Sequence, residues 1–120
     1  MLSNSKIKYL ICIYKLSNGG GPVKSVDIAS TLAVTKYSVF KILKFFSGIG
    51  LIEKQHYGQV HLTPEGIRKA NSLYTEYVIL YTFFTKHLKV SVQVAEDDAI
   101  ACIGVLSSHS INIISDHILN

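Results

Sequence analysis

The sequence has few of the features that mark membrane proteins or disulfide-rich secreted proteins. Its two cysteines, Cys12 and Cys102, lie far apart without a CxxC spacing, so neither a disulfide framework nor a zinc knuckle is indicated. The longest uncharged run, 99–115, contains serines, a histidine and an asparagine, and it is shorter than the ~20 apolar residues of a membrane-spanning helix. Lysines interrupt the apolar residues near the N-terminus, so we expect no signal peptide and predict a cytoplasmic protein.

The sequence also lacks recognisable catalytic machinery. It shows no nucleophile with a base at a familiar spacing, and the glycines at 19–21 lack the strand-loop-helix context of a phosphate-binding loop. We therefore predict that the chain is not an enzyme. Its 48% hydrophobic content is high for 120 residues. Because no membrane span is expected, a large subunit interface should cover the excess apolar surface.

Acidic residues are scarce in the first part of the chain. Residues 1–72 carry ten lysines and arginines against three acids, a net charge of +7, whereas residues 73–120 carry two lysines against five acids, a net charge of −3. Such a split predicts one lobe that meets phosphate and another that does not.

Residues 23–63 follow the outline of a winged helix-turn-helix. The apolar residues of the segment 36–47 recur at i, i+3, i+4 and i+7, which predicts a helix with one inward face. That face comprises Val39, Ile42, Leu43 and Phe46. Thr35 is its expected N-cap, and Ser25 is the expected N-cap of the preceding helix, 26–32. Only two residues separate the helices, which favours the angled pair of a helix-turn-helix.

A β-hairpin and three further helices follow. Strand-like runs at 51–55 and 59–62 predict the wing, and Thr63-Pro64 begins a helix of about 25 residues. Two shorter apolar helices complete a mostly α fold with a small hairpin, in which the winged helix-turn-helix is followed by an α-helical dimerisation lobe. We predict domains at 1–72 and 73–120 that share the long helix starting near 64.

The terminal helices are too short and too apolar to stand alone, so we predict that they pair across a two-fold axis in a homodimer. The predicted interface residues are Val92, Ala95, Ala99, Cys102, Leu106, Ile111, Ile114 and Ile118.

The outer face of the second helix and the tip of the hairpin hold the candidate DNA-binding residues. They are Thr35, Lys36, Tyr37, Ser38, Lys41 and Lys44 on the helix and Lys54, Gln55, His56 and Gln59 on the hairpin. The alternatives are an ordinary solvated surface or a winged-helix module that binds a protein. Phe40, on the flank of this face, could touch a thymine methyl or cover the wing.

Several stretches in this order resemble the iron- and manganese-dependent repressors, the family of the diphtheria toxin repressor and the manganese transport regulator. They are Tyr9-Leu10, Val23 to Ala29, Leu32-Ala33-Val34, Gly50-Leu51-Ile52 and Tyr57 to Gly66. The resemblance implies a dimer that binds palindromic operators in double-stranded DNA. It also implies the short, manganese-type architecture without a third domain.

The metal site of that family is where the sequence departs from the resemblance. The positions that correspond to the family's acidic, histidine and cysteine ligands hold Lys8, Ile11, Tyr77, Ile100, Ile103 and Gly104. Hard divalent metals need oxygen or imidazole donors, which isoleucine, glycine and an ammonium group cannot supply. We therefore expect a regulator that needs no metal cofactor. The alternative is an altered effector: manganese or iron at a non-family site, a thiol signal at Cys12 and Cys102, or an organic ligand.

Overall fold

Helices dominate the part of the chain that the computed structural model describes, residues 2–54 and 58–119. The elements in order are α1 Asn4–Ser17, β1 Val23–Lys24, α2 Ser25–Leu32, α3 Lys36–Gly48, β2 Ile52–Lys54, β3 Gln59–Leu62, α4 Pro64–Thr82, a π-helical turn Phe83–His87, α5 Val92–Ile103 and α6 Ser108–Leu119. The predicted fold class, mostly α with a small hairpin in a winged helix-turn-helix, is confirmed. No helix of the described residues is both long and apolar enough to cross a bilayer.

The chain forms two compact units. One comprises Lys8–Asn71 and contains α2, α3 and the sheet, while the other comprises Met1–Ile7 with Ser72–Asn120 and contains α5 and α6.

The sheet of the first unit has three antiparallel strands in the order β1-β3-β2. Val23 of β1 lies opposite Val60 of β3, and Ile52 of β2 lies opposite Leu62 of β3, with all four side chains buried. The strand β1 was not expected, because two residues are too few to show an alternating pattern. It adds a third strand beside the predicted hairpin and so supports the wing.

The turn between α2 and α3 is as short as predicted. Ala33 has a φ of +55°, and the Val34 N–H donates to the Ala29 carbonyl at 3.0 Å, which closes the end of α2. The predicted N-cap at Ser25 is wrong, since the helix begins at Ser25 and its N-cap is Lys24. The reason is the strand: Lys24 is paired in β1, and the Ser25 N–H donates to the Gly58 carbonyl at 2.8 Å.

Helix α3 turns its apolar stripe inward, as its spacing predicts. Val39, Leu43 and Phe46 are buried, and Phe46 is completely inaccessible to solvent. The predicted N-cap is confirmed, because the Thr35 hydroxyl accepts a hydrogen bond from the Ser38 N–H at 3.0 Å. These contacts fix which side of α3 is left to face outward.

Helix α4 begins at Thr63-Pro64, as predicted. Pro64 is its first residue, and the Thr63 hydroxyl accepts from the Gly66 N–H at 3.0 Å while donating to the Gly50 carbonyl at 2.7 Å. Gly66 must be glycine here, since a Cβ would overlap the Leu51 carbonyl. The predicted helix has about 25 residues, but its α-helical part ends at Thr82. The chain continues from there as the π-helical turn.

The second unit buries three residues that the sequence assigned to a dimer interface. Ala95 and Ala99 of α5 have no exposed surface, and Ile111 of α6 is 1% exposed. These three positions are corrected: their side chains pack inside the protomer and leave almost no surface for a partner to contact. Val92 is more than half exposed, and Cys102, Leu106, Ile114 and Ile118 are partly exposed.

Candidate nucleic-acid interface

The outward face of α3 is basic and aromatic. Tyr37, Lys41 and Lys44 stand at i, i+4 and i+7, opposite the buried stripe, and all three are exposed. The Tyr37 ring is 69% exposed, and the Lys41 Nζ lies 5.5 Å from its centre. A lysine this close to a ring face is held by the ring's quadrupole. The helix therefore presents positive charge in a restricted geometry.

The two hydroxyl groups at the start of α3 contact one another. The Thr35 hydroxyl donates to the Ser38 Oγ at 2.9 Å in addition to accepting the capping bond. The Ser38 Oγ can still donate a hydrogen bond to an acceptor outside the helix. Lys36 is exposed beside them at the first helical position. The entrance to the helix thus brings Thr35, Lys36 and Ser38 together as predicted from their spacing.

A groove of about 250 Å³ lies between α3 and the wing. Its lining residues come from α2, α3 and the hairpin, and they are Ser25, Lys36, Phe40, Leu43, Lys54, Gly58, Gln59 and Val60. The Lys54 Nζ lies 4.8 Å from the centre of the Phe40 ring, which is 54% exposed. The wing lysine and the helix aromatic therefore meet across the groove.

Of the four predicted wing residues, two fall within the described chain. Lys54 is exposed at the end of β2, and Gln59 is partly exposed at the start of β3, paired with Lys24. Gln55 and His56 lie outside the described residues. Sequence reasoning placed Phe40 on the flank of this face, as a contact to a thymine methyl or a cover for the wing, but did not include it among the predicted DNA contacts. Its position four residues after Lys36 places both residues on one flank of the helix.

The positions that the resemblance assigns to metal ligands hold side chains that cannot form a cation cage. Ile11, Ile100 and Ile103 are buried, and Lys8 is exposed. None of these offers an oxygen or imidazole donor, so the residues do not fit a manganese or iron ion. Across the described residues, no three histidine, cysteine or acidic side chains lie close enough to share a metal.

Tyr77, at the position that the resemblance assigns to a histidine ligand, belongs to an aromatic stack along α4. Its ring lies 6.3 Å from that of Tyr74 and 5.8 Å from that of Tyr81, with the planes about 20° apart. Burial raises the pKa of Tyr77, and the nearby Glu96 carboxylate raises it further. Because metal ligation by tyrosine needs the phenolate, the raised pKa opposes that role.

The two cysteines are poor candidates for a thiol switch. Burial raises the pKa of the Cys12 thiol, in spite of the opposing effect of the Lys15 ammonium. Burial and the Asp98 carboxylate raise the pKa of Cys102 in the same way. Since the thiolate is the reactive form, both side chains are less reactive at neutral pH than an ordinary cysteine.

The profile of a known protein family covers the same residues that build this interface. It is described as the iron dependent repressor, N-terminal DNA binding domain, and it matches residues 1–60, half of the chain. The chain belongs to this family. The resemblance inferred from the sequence is thereby confirmed.

Individual proteins that are similar to this chain include regulators by name. The transcriptional regulator MntR of Salmonella typhimurium is 34% identical over 79 residues, which is 66% of this chain and 50% of MntR. The structure of the manganese regulator SloR superposes with a TM-score of 0.82 at 24% identity, covering 99% of this chain and 55% of SloR. IdeR of T. acidophilum gives a TM-score of 0.81 at 20% identity, with 100% and 56% covered. The chain spans about half the length of the curated relatives it matches.

Proposed function

We propose that this protein is a DNA-binding transcriptional regulator that places α3 in the major groove of double-stranded DNA. The observation that supports this most is the exposed face of Tyr37, Lys41 and Lys44, flanked by a wing lysine, in a member of the iron dependent repressor family. A major groove is wide enough for one helix, whose N-terminal residues reach base edges while lysines neutralise phosphates. The wing then follows the adjacent backbone.

The protein binds as a homodimer, and its operator is palindromic. The second unit exposes large apolar side chains that a partner would cover, including Val92 at 54%, Val105 at 82% and Leu119 at 80%. A two-fold dimer presents its two α3 helices to two half-sites related by the same symmetry. The interface is built by the exposed and partly exposed predicted positions, with Ala95 and Ala99 supporting it from inside.

Binding requires no divalent metal. This proposal is supported by the chemistry of the side chains at the family ligand positions, where buried isoleucines replace donors. Ile11, Ile100 and Ile103 are each buried without a cation, so no metal is needed to cover them. The binding-competent state then does not depend on metal supply, and DNA affinity is the same with or without chelator.

The ionic-strength dependence of DNA affinity tests the proposed function. Phosphate contacts release counterions, so affinity should fall at least about a hundredfold between roughly 50 and 200 mM salt for a dimer that makes six or more such contacts. DNA selected from a random pool supplies the ligand, and fluorescence anisotropy supplies the dissociation constant. Absence of DNA binding, or an affinity that hardly changes with salt, would contradict the proposal.

A second candidate function is a winged-helix module that binds a protein. The exposed rings of Tyr37 and Phe40 favour it, since aromatic residues are enriched in protein interfaces. This function predicts no selected DNA sequence and a shallow salt response, so the same measurement separates the two candidates.

A further inference from the structure

The groove between α3 and the wing combines a basic rim with an apolar wall. Lys36 enters it from the helix and Lys54 from β2, while Phe40, Leu43 and Val60 supply apolar surface. Among the described residues that line the groove, none is acidic. The groove is therefore suited to a ligand with an anionic group and a neighbouring apolar face.

One unit of the DNA backbone has this chemistry. Its phosphate is a compact anion, and the adjoining deoxyribose presents carbon-bound hydrogens. A base edge fits less well, because reading it requires several directed donors and acceptors, and the polar uncharged side chains of the groove are only Ser25 and Gln59 among the described lining residues. The flank of an inserted helix also faces the wall of the DNA groove, where the backbone lies, rather than its floor.

We propose that this groove binds one sugar-phosphate unit of DNA, with the phosphate shared by Lys36 and Lys54 and the sugar against the Phe40 ring. This inference rests on the proposed DNA-binding function and specifies a contact within it. Because the two lysines come from different elements, a shared phosphate fixes the wing relative to the recognition helix. Phosphate contacts of this kind set the register of a protein on the duplex.

Phe40 acts in this contact as a positioning residue. Its ring lies 4.8 Å from the Lys54 Nζ, a distance at which the ring attracts the cation. The long lysine side chain would otherwise sample many rotamers, and ordering it on binding lowers affinity. The ring restricts Lys54 to the groove before DNA arrives.

The first experiment neutralises each lysine in the full chain. On DNA selected for the wild-type protein, Lys36→Gln and Lys54→Gln should each weaken binding about tenfold and lower the salt slope by about two, because each substitution removes one phosphate contact from each protomer of the dimer. The control is Lys86→Gln, which removes an exposed lysine from the π-helical turn of the other unit and should leave affinity unchanged. Loss of affinity in the control equal to that in the two groove variants would overturn the inference, because only net charge would then matter.

The second experiment removes the charge of one phosphate at a time with methylphosphonate linkages. If the inference holds, methylphosphonate substitution at one particular linkage weakens DNA binding by the wild-type protein about tenfold. The same substitution weakens DNA binding by the double variant Lys36→Gln/Lys54→Gln less than about threefold. Additive losses at every linkage would show that the lysines do not share a phosphate. If no DNA is bound by the wild-type protein at all, the proposed function fails and this cycle is not reached.

The role of Phe40 is tested by its coupling to Lys54. Phe40→Ala should weaken binding severalfold in the wild-type background and have little further effect in Lys54→Gln, whereas Phe40→Leu should retain the sugar contact but lose the coupling. An equal loss for Phe40→Ala in both backgrounds would overturn the positioning role. A thermal unfolding midpoint within about 2 °C of wild type shows that each variant is folded.

Discussion

The two units of this protein differ in the kind of side chain that bears on function and in whether that side chain is exposed or buried. In Lys8–Asn71, the polar and basic side chains stand on the outside of α3, and the inside is an apolar stripe. In Ser72–Asn120, three of the positions that the resemblance assigns to metal ligands hold the buried Ile100 and Ile103 and the stacked Tyr77, while two more, Lys8 and Ile11, belong to the first unit. The charge follows the same division, at +7 for residues 1–72 and −3 for residues 73–120.

The proposed function implies that a member of this family can keep its DNA-binding surface while its effector chemistry changes. A surface residue of α3 can keep its role because the inward stripe fixes its direction. No such packing constraint preserves a metal ligand, because an isoleucine can fill the same buried position without a cation. Positions that the structure treats differently should therefore respond differently to substitution.

The largest effect should come from the inward face of α3. Phe46→Ala removes a fully buried ring, and the resulting cavity should lower the free energy of unfolding by about 3–5 kcal/mol. Tyr37→Ala, on the opposite face, should change it by about 0.5 kcal/mol or less. Urea unfolding monitored by circular dichroism measures both. Equal losses would mean that the direction of α3 has been assigned wrongly.

The lysines on the outward face of α3 should have the largest effect on DNA affinity. Reversing the charges of Lys41 and Lys44 together should weaken DNA binding at least about a hundredfold, because two phosphate contacts per protomer become repulsive. The matched control reverses Lys86 and Lys89 in the second unit and should change affinity less than about threefold. Anisotropy titrations at one salt concentration give both ratios. A comparable loss in the control would remove the distinction between the units.

Two glycines at the ends of helices should respond in opposite ways to the same substitution. Gly66→Ala places a methyl group against the Leu51 carbonyl and should destabilise the protein by about 1–3 kcal/mol. Gly48→Ala meets open space and should raise stability by up to about 1 kcal/mol, since alanine favours the helix. Thermal unfolding reports both signs. Stabilisation by Gly66→Ala would contradict the close approach of α4 to Leu51.

A smaller effect should appear in alkaline unfolding of the second unit. The pKa of Tyr77 is raised above its ordinary value of 10.0 by burial first and by Glu96 second, so the folded state favours the neutral phenol. Its contribution to stability is complete below pH 10 and is lost as the pH rises through the raised pKa. Tyr77→Phe should therefore reduce the fall in stability above pH 10. Urea midpoints measured from pH 8 to 11 provide the check.

How much of this could be predicted from the sequence depended on whether a feature is local. The helix α3, its Thr35 cap and the start of α4 at Pro64 were predictable because spacing and capping chemistry act within a few residues. The strand β1 and the loss of the Ser25 cap were not, since both depend on pairing with residues some 35 positions away. The burial of Ala95 and Ala99 was missed because small residues at a 3-4 spacing pack equally well inside a protomer or between two.

The groove beside the wing could not be predicted from the sequence either, because it also depends on residues that are distant along the chain. Lys36, Lys54 and Gln59 were predicted individually as DNA contacts, but their arrangement around Phe40 depends on how the hairpin packs on α3. Sequence spacing relates Lys36 to Phe40 on one helix. It cannot relate either to a lysine on a strand.

We propose above all that the protein binds DNA, through the unit Lys8–Asn71, without a divalent metal. The direct test is DNA affinity of the full chain in chelator and then in about 1 mM manganese or iron, at constant ionic strength. We expect the two dissociation constants to agree within about twofold. A gain of about tenfold or more on adding metal would contradict the claim, because it would require a cation site that couples to DNA binding.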